Sequence, residues 1–323
     1  KTPRLSWIGP IQEMAVPAIP SVAPWLIALA FVAFVVSLRY NHAIMPFTLH
    51  NLHLHSVAAA LPSGSLDLTT LADEFGEQEI GRIIASTGIR NIRVAPPGLC
   101  ASDLCQAAAE HLFEQTAIAP SSIDAVVFVS QTPDWRMPGT APAMQTRLGL
   151  RNDIASFDLN YGCSGFVYGL LQAAMLVTSG AAERVLLCAG DVLTPYVHAR
   201  DKALRAVIGD AGSAAIVDRG DNSWCFTTGT DGTGGDKLIV PAGGARTPST
   251  PETRCASERE HGNVRSDEHL YMDGMEIMKF ALREVPPAVD AVLATAGWTR
   301  KDVGFYGFHQ ANKFILEYRS EEH

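Results

Sequence analysis

Two short apolar runs, each next to a segment with a helical sequence pattern, limit the possible folds of this chain more than any other feature. Residues 123–130 and 184–189 each contain five consecutive apolar residues. A strand without polar alternation is typical of a parallel sheet that helices cover on both faces. The runs therefore predict an α/β fold, and the 27 Gly and 19 Pro of the chain fit the many short connections of such a fold.

Composition then excludes some classes of protein. The 323 residues are 47% hydrophobic and 18% charged, so the chain has enough apolar material for a large core. The formal net charge is -9, with 34 acidic and 25 basic residues. A protein that binds nucleic acid by neutralising phosphates is normally basic, so we expect no nucleic-acid partner.

The cysteines and clustered histidines do not indicate a metal site. The six cysteines form no C-x-x-C pair, which argues against a zinc site or a disulfide framework and favours a reducing compartment. His50, His53 and His55 lie close together in the sequence but lack a nearby acidic or cysteine partner. We interpret them as exposed imidazoles and expect no metal ligand among them.

Residues 1–44 differ from the rest of the chain. Residues 14–38 carry no charge, apart from proline they are largely apolar, and Arg39 follows them. This length could cross a membrane, but Pro17, Pro20 and Pro24 shorten the apolar helix. Two interpretations stay open: a membrane anchor, or a leader outside the functional unit. We favour the second; if the segment is an anchor, the positive-inside rule places Arg39 and the following domain in the cytoplasm, so a cytoplasmic location is expected in both cases.

The remaining pattern alternates strands and helices. A strand is predicted over 155–160, and a helix over 164–179 that ends at Gly180. A later helix is predicted over 272–294, with an interruption at Pro286 and Pro287 because proline removes a backbone donor and clashes with the preceding turn.

A faint internal repeat connects the two halves. Residues 107–131 run from a helix through a short polar link to a strand that ends in Gln131, and residues 288–310 follow the same order to Gln310. Repeated units of this kind are common in α/β proteins, so the repeat alone is weak evidence.

Cys163 is the cysteine with the strongest chemical signal. It follows a predicted strand and Gly162, and we place it in the first turn of the helix over 164–179. Unpaired N–H groups and the helix dipole favour a thiolate there, which predicts a nucleophile. The flanking glycines would let a substrate carbonyl approach the N–H of Cys163. The alternative is a cysteine that only packs the start of a helix.

His309 is the predicted second catalytic group. It stands at the end of the predicted strand of the second repeat, and sites of α/β proteins gather beyond the carboxyl ends of parallel strands. A neutral imidazole there could donate a hydrogen bond to a thioester oxygen or move a proton. Together with Cys163, it suggests acyl transfer through a cysteine acyl-enzyme.

Several motifs then occur in an order that resembles the β-ketoacyl-acyl-carrier-protein synthase III family of the thiolase superfamily. They are residues 87–90, the segment around Cys163, residues 190–193, residues 209–214, the Met272-x-Gly274-x-Glu276 pattern and residues 309–312. The resemblance implies a duplicated, layered αβαβα fold, a homodimer, Cys163 as nucleophile and His309 as one of two groups that stabilise the thioester oxygen. It also implies two halves, 45–217 and 218–323.

The implied activity is a condensation. In the family, the cysteine takes an acyl group from a thioester, and malonyl-acyl-carrier protein then loses CO₂ and attacks the acyl-enzyme to give a 3-oxoacyl product. The implied substrates are acyl-CoA or acyl-acyl-carrier protein and malonyl-acyl-carrier protein, with no permanently bound cofactor. Two alternatives stay open: acyl transfer to a nitrogen or oxygen nucleophile, and an impaired homologue that acts as a partner subunit.

The chain also departs from the family pattern. The family's asparagine lies well beyond the histidine, whereas this sequence ends at His323, and Asn312 belongs to the histidine motif itself. The resemblance therefore predicts that the second donor and the final strands of the second half are missing. Losing one such donor typically lowers the rate by about 100 to 1,000-fold, so we expect weak condensing activity.

The cofactor entrance also departs from the family. In members of the family, a tryptophan and an arginine bind the adenine, and the resemblance places Arg82 and Ser86 at these two positions of this chain. Lys202 stands where the family has a further arginine, and Phe314 stands where the family has an arginine after the histidine motif. We predict that Arg82, Lys202 and Lys313 bind phosphates or an acidic carrier protein. Three solvated surface cations are the alternative.

Overall fold

The computed structural model describes residues 46–311 and Lys313. The predicted leader over 1–44, its apolar segment 14–38 and Asn312 lie outside the described residues. Within the described part, no helix is both long and apolar enough to cross a membrane.

One mixed sheet of six strands forms the centre of the described molecule, in the order β5-β4-β6-β7-β1-β8. Its strands are β1 (Phe47–Ala60), β4 (Ala125–Val129), β5 (Ala155–Leu159), β6 (Arg184–Asp191), β7 (Ala211–Arg219) and β8 (Asn222–Phe226). Three two-stranded pairs surround it, formed by β2 (Ser65–Asp67) with β3 (Asn91–Arg93), β9 (Leu238–Ile239) with β12 (Tyr271–Met272), and β10 (Ser257–Glu258) with β11 (Val264–Arg265).

The predicted buried strands lie side by side and parallel. Val127 of β4 is in register with Phe157 of β5 on one side and with Leu187 of β6 on the other. The remaining neighbours are antiparallel: β6 with β7, β7 with β1, and β1 with β8. The carboxyl ends of β4, β5 and β6 therefore meet at one edge of the sheet.

Helices cover both faces of this sheet. The helices are α1 (Ala72–Phe75), α2 (Glu77–Thr87), α3 (Ala101–Thr116), α4 (Thr140–Arg147), α5 (Gly165–Ser179), α6 (Lys202–Arg205), α7 (Pro251–Arg254) and α8 (Gly274–Ala296). Because successive side chains of a strand point to opposite faces, Phe128 packs in the α3 cluster while Val127 and Val129 pack in the α5 cluster. The predicted α/β architecture is confirmed.

Two local predictions are wrong. Helix α8 continues through Pro286 and Pro287, where we expected an interruption. Two adjacent prolines remove only two neighbouring backbone donors, and the buried residues Val289, Val292 and Leu293 hold the second part of the helix in the core.

The second error concerns the repeat. Its helix and its polar link form in both copies, because Pro120–Ser122 and Arg300–Asp302 are both 3-10 turns. Residues 303–310, however, form no strand. A strand needs a hydrogen-bonded neighbour, and the described residues provide none beside this segment. The two predicted halves stay a prediction; β8, which lies after the predicted boundary, joins the sheet of the first half.

Candidate active site

Cys163 lies in a tight turn between β5 and α5. The turn closes through a 2.7 Å hydrogen bond from the N–H of Gly165 to the carbonyl of Gly162. Helix α5 begins at Gly165 with Ser164 as its N-cap, so Cys163 precedes the helix, and its predicted place in the first turn is wrong by two residues. The turn lies beyond the carboxyl end of β5, at the sheet edge where α/β proteins bind ligands.

Two glycines fit this turn against the sheet. A Cβ atom at Gly165 would lie 2.6 Å from Cγ1 of Val129, and one at Gly162 would meet the side chain of Gln131. Gly165 requires glycine because the backbone approaches the branched Val129 side chain of β4 more closely than a Cβ atom allows, whereas at Gly162 the flexible end of the Gln131 side chain could move aside. The turn that carries Cys163 is therefore held at the ends of β4 and β5.

Asp191 at the end of β6 completes this edge and was not predicted as a site residue. Its carboxylate accepts hydrogen bonds from the Gln131 N–H at 2.7 Å, the Ser130 hydroxyl at 2.9 Å and the Thr132 hydroxyl at 3.0 Å. Burial raises the pKa of Asp191, while these hydrogen bonds oppose the rise. The carboxylate thereby fixes the segment after β4 beside the Cys163 turn. In the sequence, only the family-like motif over residues 190–193 pointed to Asp191 as a site residue.

The electrostatic environment of Cys163 differs from the prediction. The residue is exposed at the surface, yet protein surrounds much of its sulfur, and this burial raises the pKa of the Cys163 thiol above its usual range. Its own backbone N–H lowers that pKa, and the charge of Asp191 raises it further. The desolvation of the sulfur outweighs the backbone N–H, so the net direction of the pKa favours the thiol over the predicted thiolate.

This pKa predicts how Cys163 reacts with iodoacetamide. Because only the thiolate reacts, the alkylation rate of Cys163 should rise about tenfold per pH unit from pH 6 to 8.5. We expect no plateau in this range, as measured by mass spectrometry of the Cys163 peptide. The Asp191→Asn variant removes the nearby charge and should react faster than wild type at pH 7. A rate that levels off below pH 8 would show a lowered pKa instead.

His309 lies in the irregular segment before Lys313. Its carbonyl accepts the N–H of Ala311 at 3.1 Å. The ring is partly open to solvent, and burial of its remaining surface lowers the pKa of the His309 imidazole, which favours the neutral ring. Within the described residues no hydrogen bond joins His309 to Cys163. The structure therefore leaves the predicted pairing of these two residues a prediction.

The three predicted entrance cations lie around α2. Arg82 and Lys202 both contact Glu79, with N–O distances of 3.2 and 3.0 Å. The hydrogen bond from Lys202 is the main reason that the pKa of Glu79 is lowered. Lys313 packs against Gly88 at the end of the same helix. The structure thus brings Arg82 and Lys202 together, but Glu79 offsets part of their charge.

The described residues contain no group of three or more histidine, cysteine or acidic side chains that could hold a metal ion. His53 instead contacts Asp218 at 3.1 Å, and His50 contacts the Ser223 hydroxyl at 2.7 Å.

Comparison with known proteins finds a family model and relatives that carry the same description. Residues 157–232 match the family model described as 3-oxoacyl-[acyl-carrier-protein] synthase III. A β-ketoacyl-[acyl-carrier-protein] synthase III of Caldanaerobacter subterraneus is 34% identical over 257 residues, which cover 78% of this chain and 73% of that protein. The same enzyme of Roseiflexus sp. is 37% identical over 234 residues, covering 72% and 68%.

Solved structures agree with these relatives. The crystal structure of a 3-oxoacyl-(acyl-carrier protein) synthase from Burkholderia xenovorans matches with a TM-score of 0.79 and 34% identity. The match covers 86% of this chain and 78% of that one.

Proposed function

The chain belongs to the β-ketoacyl-acyl-carrier-protein synthase III family, and from that premise we propose that it condenses an acyl thioester with malonyl-acyl-carrier protein. The predicted family and layered fold are confirmed by the relatives and by the structural match. The proposed reaction is a carbon–carbon bond formation in fatty-acid or related biosynthesis, with a 3-oxoacyl thioester as product.

The position of Cys163 is the single observation that carries this proposal. It is an exposed thiol in a turn beyond β5, beside the ends of β4 and β6. Three of the other five cysteines are buried, and Cys100 is partly covered. Cys255 is also exposed, but it follows the short helix α7 and not one of the parallel strands β4, β5 and β6. Only Cys163 therefore combines access with the sheet edge where chemistry gathers.

The proposed first step is thioester exchange. The Cys163 sulfur attacks the acyl carbon, the carbon–sulfur bond of the donor breaks, and the thiol of CoA or carrier protein leaves with the proton from Cys163. The carboxylate of malonyl-acyl-carrier protein then leaves as CO₂, and the resulting enolate attacks the acyl carbon. The Cys163 sulfur is released, takes up a proton and returns to its starting state.

We assign His309 the second step. Since its pKa is lowered by burial, the ring is neutral near pH 7 and one ring nitrogen carries a proton that can be donated. A hydrogen bond from that nitrogen to the malonyl thioester oxygen would stabilise the enolate as its charge develops.

The donor and carrier partners are proposed from the entrance cations. Arg82 lies on α2, and Lys202 and Lys313 lie beside it; the three would attract the phosphates of CoA or an acidic carrier protein by local charge, although the whole chain is negative. A homodimer and a location in the cytoplasm complete the proposal. The exposed apolar side chains of Trp135 and Met137 support a protein contact at their loop.

Two measurements on the full chain test this function. Incubation with a mass-tagged acyl thioester should add one acyl group to Cys163, and malonyl-acyl-carrier protein should then release CO₂. We expect His309→Gln to lower CO₂ release by about 100 to 1,000-fold, because the enolate loses its donor. Acylation of Cys163 should change by less than about tenfold, because His309 is assigned only to the second step.

His55→Gln is the matched control, because His55 is an exposed histidine on β1, far along the chain from the motif of His309. It should keep both steps unchanged. Acylation without malonyl-dependent CO₂ release would contradict condensation and favour transfer to another nucleophile. A protein that cannot be acylated would instead be a partner subunit.

A further inference from the structure

A cavity of about 570 Å³ lies apart from the Cys163 turn. Its lining residues are Leu66, Ile92, Val94, the loop 95–99, Val192, Thr194, Pro195, Val197, Arg205 and Ile208. Apart from one threonine and one arginine, all of these residues are apolar. The volume lies in the range of small-molecule sites, and none of Cys163, Gln131 and Asp191 lines it.

The walls of this cavity are fixed by a buried carboxylate. One oxygen of Asp210 accepts the N–H of Ala95 at 2.7 Å and the hydroxyl of Thr194 at 2.6 Å, and the other accepts the N–H of Thr194 at 3.0 Å. Asp210 therefore ties the loop 95–99 to the segment 192–197. A cavity held in this way exists before a ligand arrives, which reduces the cost of binding.

Among the described residues, Arg205 is the only charged one that lines the cavity. It is half-buried, and within the described residues its side chain forms no ion pair or hydrogen bond; its Nε atom is buried without a partner. Lys202, one turn earlier on α6, pairs with Glu79 instead. The Nε atom is closed off by protein, but the two terminal nitrogens of the guanidinium are not buried and have no counter-charge among the described residues, so an anion in the cavity could pair with them.

We propose that this cavity binds an amphipathic carboxylate of the fatty-acid class. The carboxylate pairs with the Arg205 guanidinium, whose planar fork matches two carboxylate oxygens. The alkyl chain lies against the side chains of Ile92, Val94 and Ile208. This site is independent of the proposed acyl transfer, because its residues are separate from the Cys163 turn.

Titration calorimetry with the full chain tests the proposal, with decanoate as the probe. We expect decanoate to bind, acetate to show no binding and decan-1-ol to bind at least about tenfold more weakly, because a charge-assisted hydrogen bond is lost. Arg205→Gln should weaken decanoate binding by about tenfold or more. Ile208→Trp keeps Arg205 but fills the cavity, and it should abolish binding.

Arg200→Gln is the matched control, since Arg200 is an exposed arginine that contacts Glu74 outside the cavity. It should bind decanoate as wild type does, and thermal unfolding should show that all variants are folded. Equal binding of decanoate by Arg205→Gln and wild type would overturn the proposal. So would no binding to wild type up to about 1 mM decanoate, or decyl phosphate binding more than about tenfold tighter than decanoate.

Discussion

Replacing Cys163 by alanine is expected to remove acylation completely and to lower condensation by about 10,000-fold or more, because no other group can form the acyl-enzyme. The measurement is the mass of the intact protein after incubation with an acyl thioester, followed by assay of the 3-oxoacyl product. Because Cys163 is exposed, its loss leaves no cavity in the core. The thermal midpoint should therefore stay within about 2 °C of wild type.

Cys255→Ala is the matched control, because Cys255 is the other exposed cysteine of the described chain. It should keep both acylation and condensation. An acyl group found on Cys255, or on the Cys163→Ala variant at the wild-type level, would show that the nucleophile has been assigned to the wrong cysteine.

Replacing Phe128 by alanine should lower the free energy of unfolding by about 3–5 kcal/mol. Phe128 is 1% exposed, lies on the central strand β4 and packs in the cluster formed with α3. Truncation removes its apolar contacts and leaves a cavity that the close-packed sheet cannot fill. Urea denaturation followed by circular dichroism measures the change.

Phe305→Ala provides the comparison, since the Phe305 side chain is 83% exposed. Its free energy of unfolding should change by less than about 0.5 kcal/mol. If the two variants were equally stable, the assignment of Phe128 to the core between β4 and α3 would be wrong.

The sheet could be predicted because its signals are local. The apolar runs that became β4 and β6, and the glycine that ends α5, are written in consecutive residues. The strand expected to end at His309 and Gln310 does not form, because strand formation depends on more than the local sequence. The order of helix, polar link and apolar run matches that of residues 107–131, but a strand forms only where a neighbouring strand supplies hydrogen bonds.

The candidate site also has features that the local sequence predicts and features that depend on the fold. The turn around Cys163 was recognisable from its glycines and its place after a strand. The state of its thiol was not, because the pKa depends on how much protein surrounds the sulfur and on the charge of Asp191 from another strand. A local argument from the helix dipole leaves out both of these contributions to the pKa of Cys163.

The α/β sheet and the family could be read from the sequence alone, and Cys163 could be selected as the candidate nucleophile, because periodicity, turns and motifs are properties of neighbouring residues. Which charges are engaged depends on the folded structure: Lys202 pairs with Glu79, whereas Arg205 on the same short helix lines a cavity and has no partner among the described residues. Ion pairs and desolvation depend on distances between residues far apart in the chain, and folding alone sets those distances.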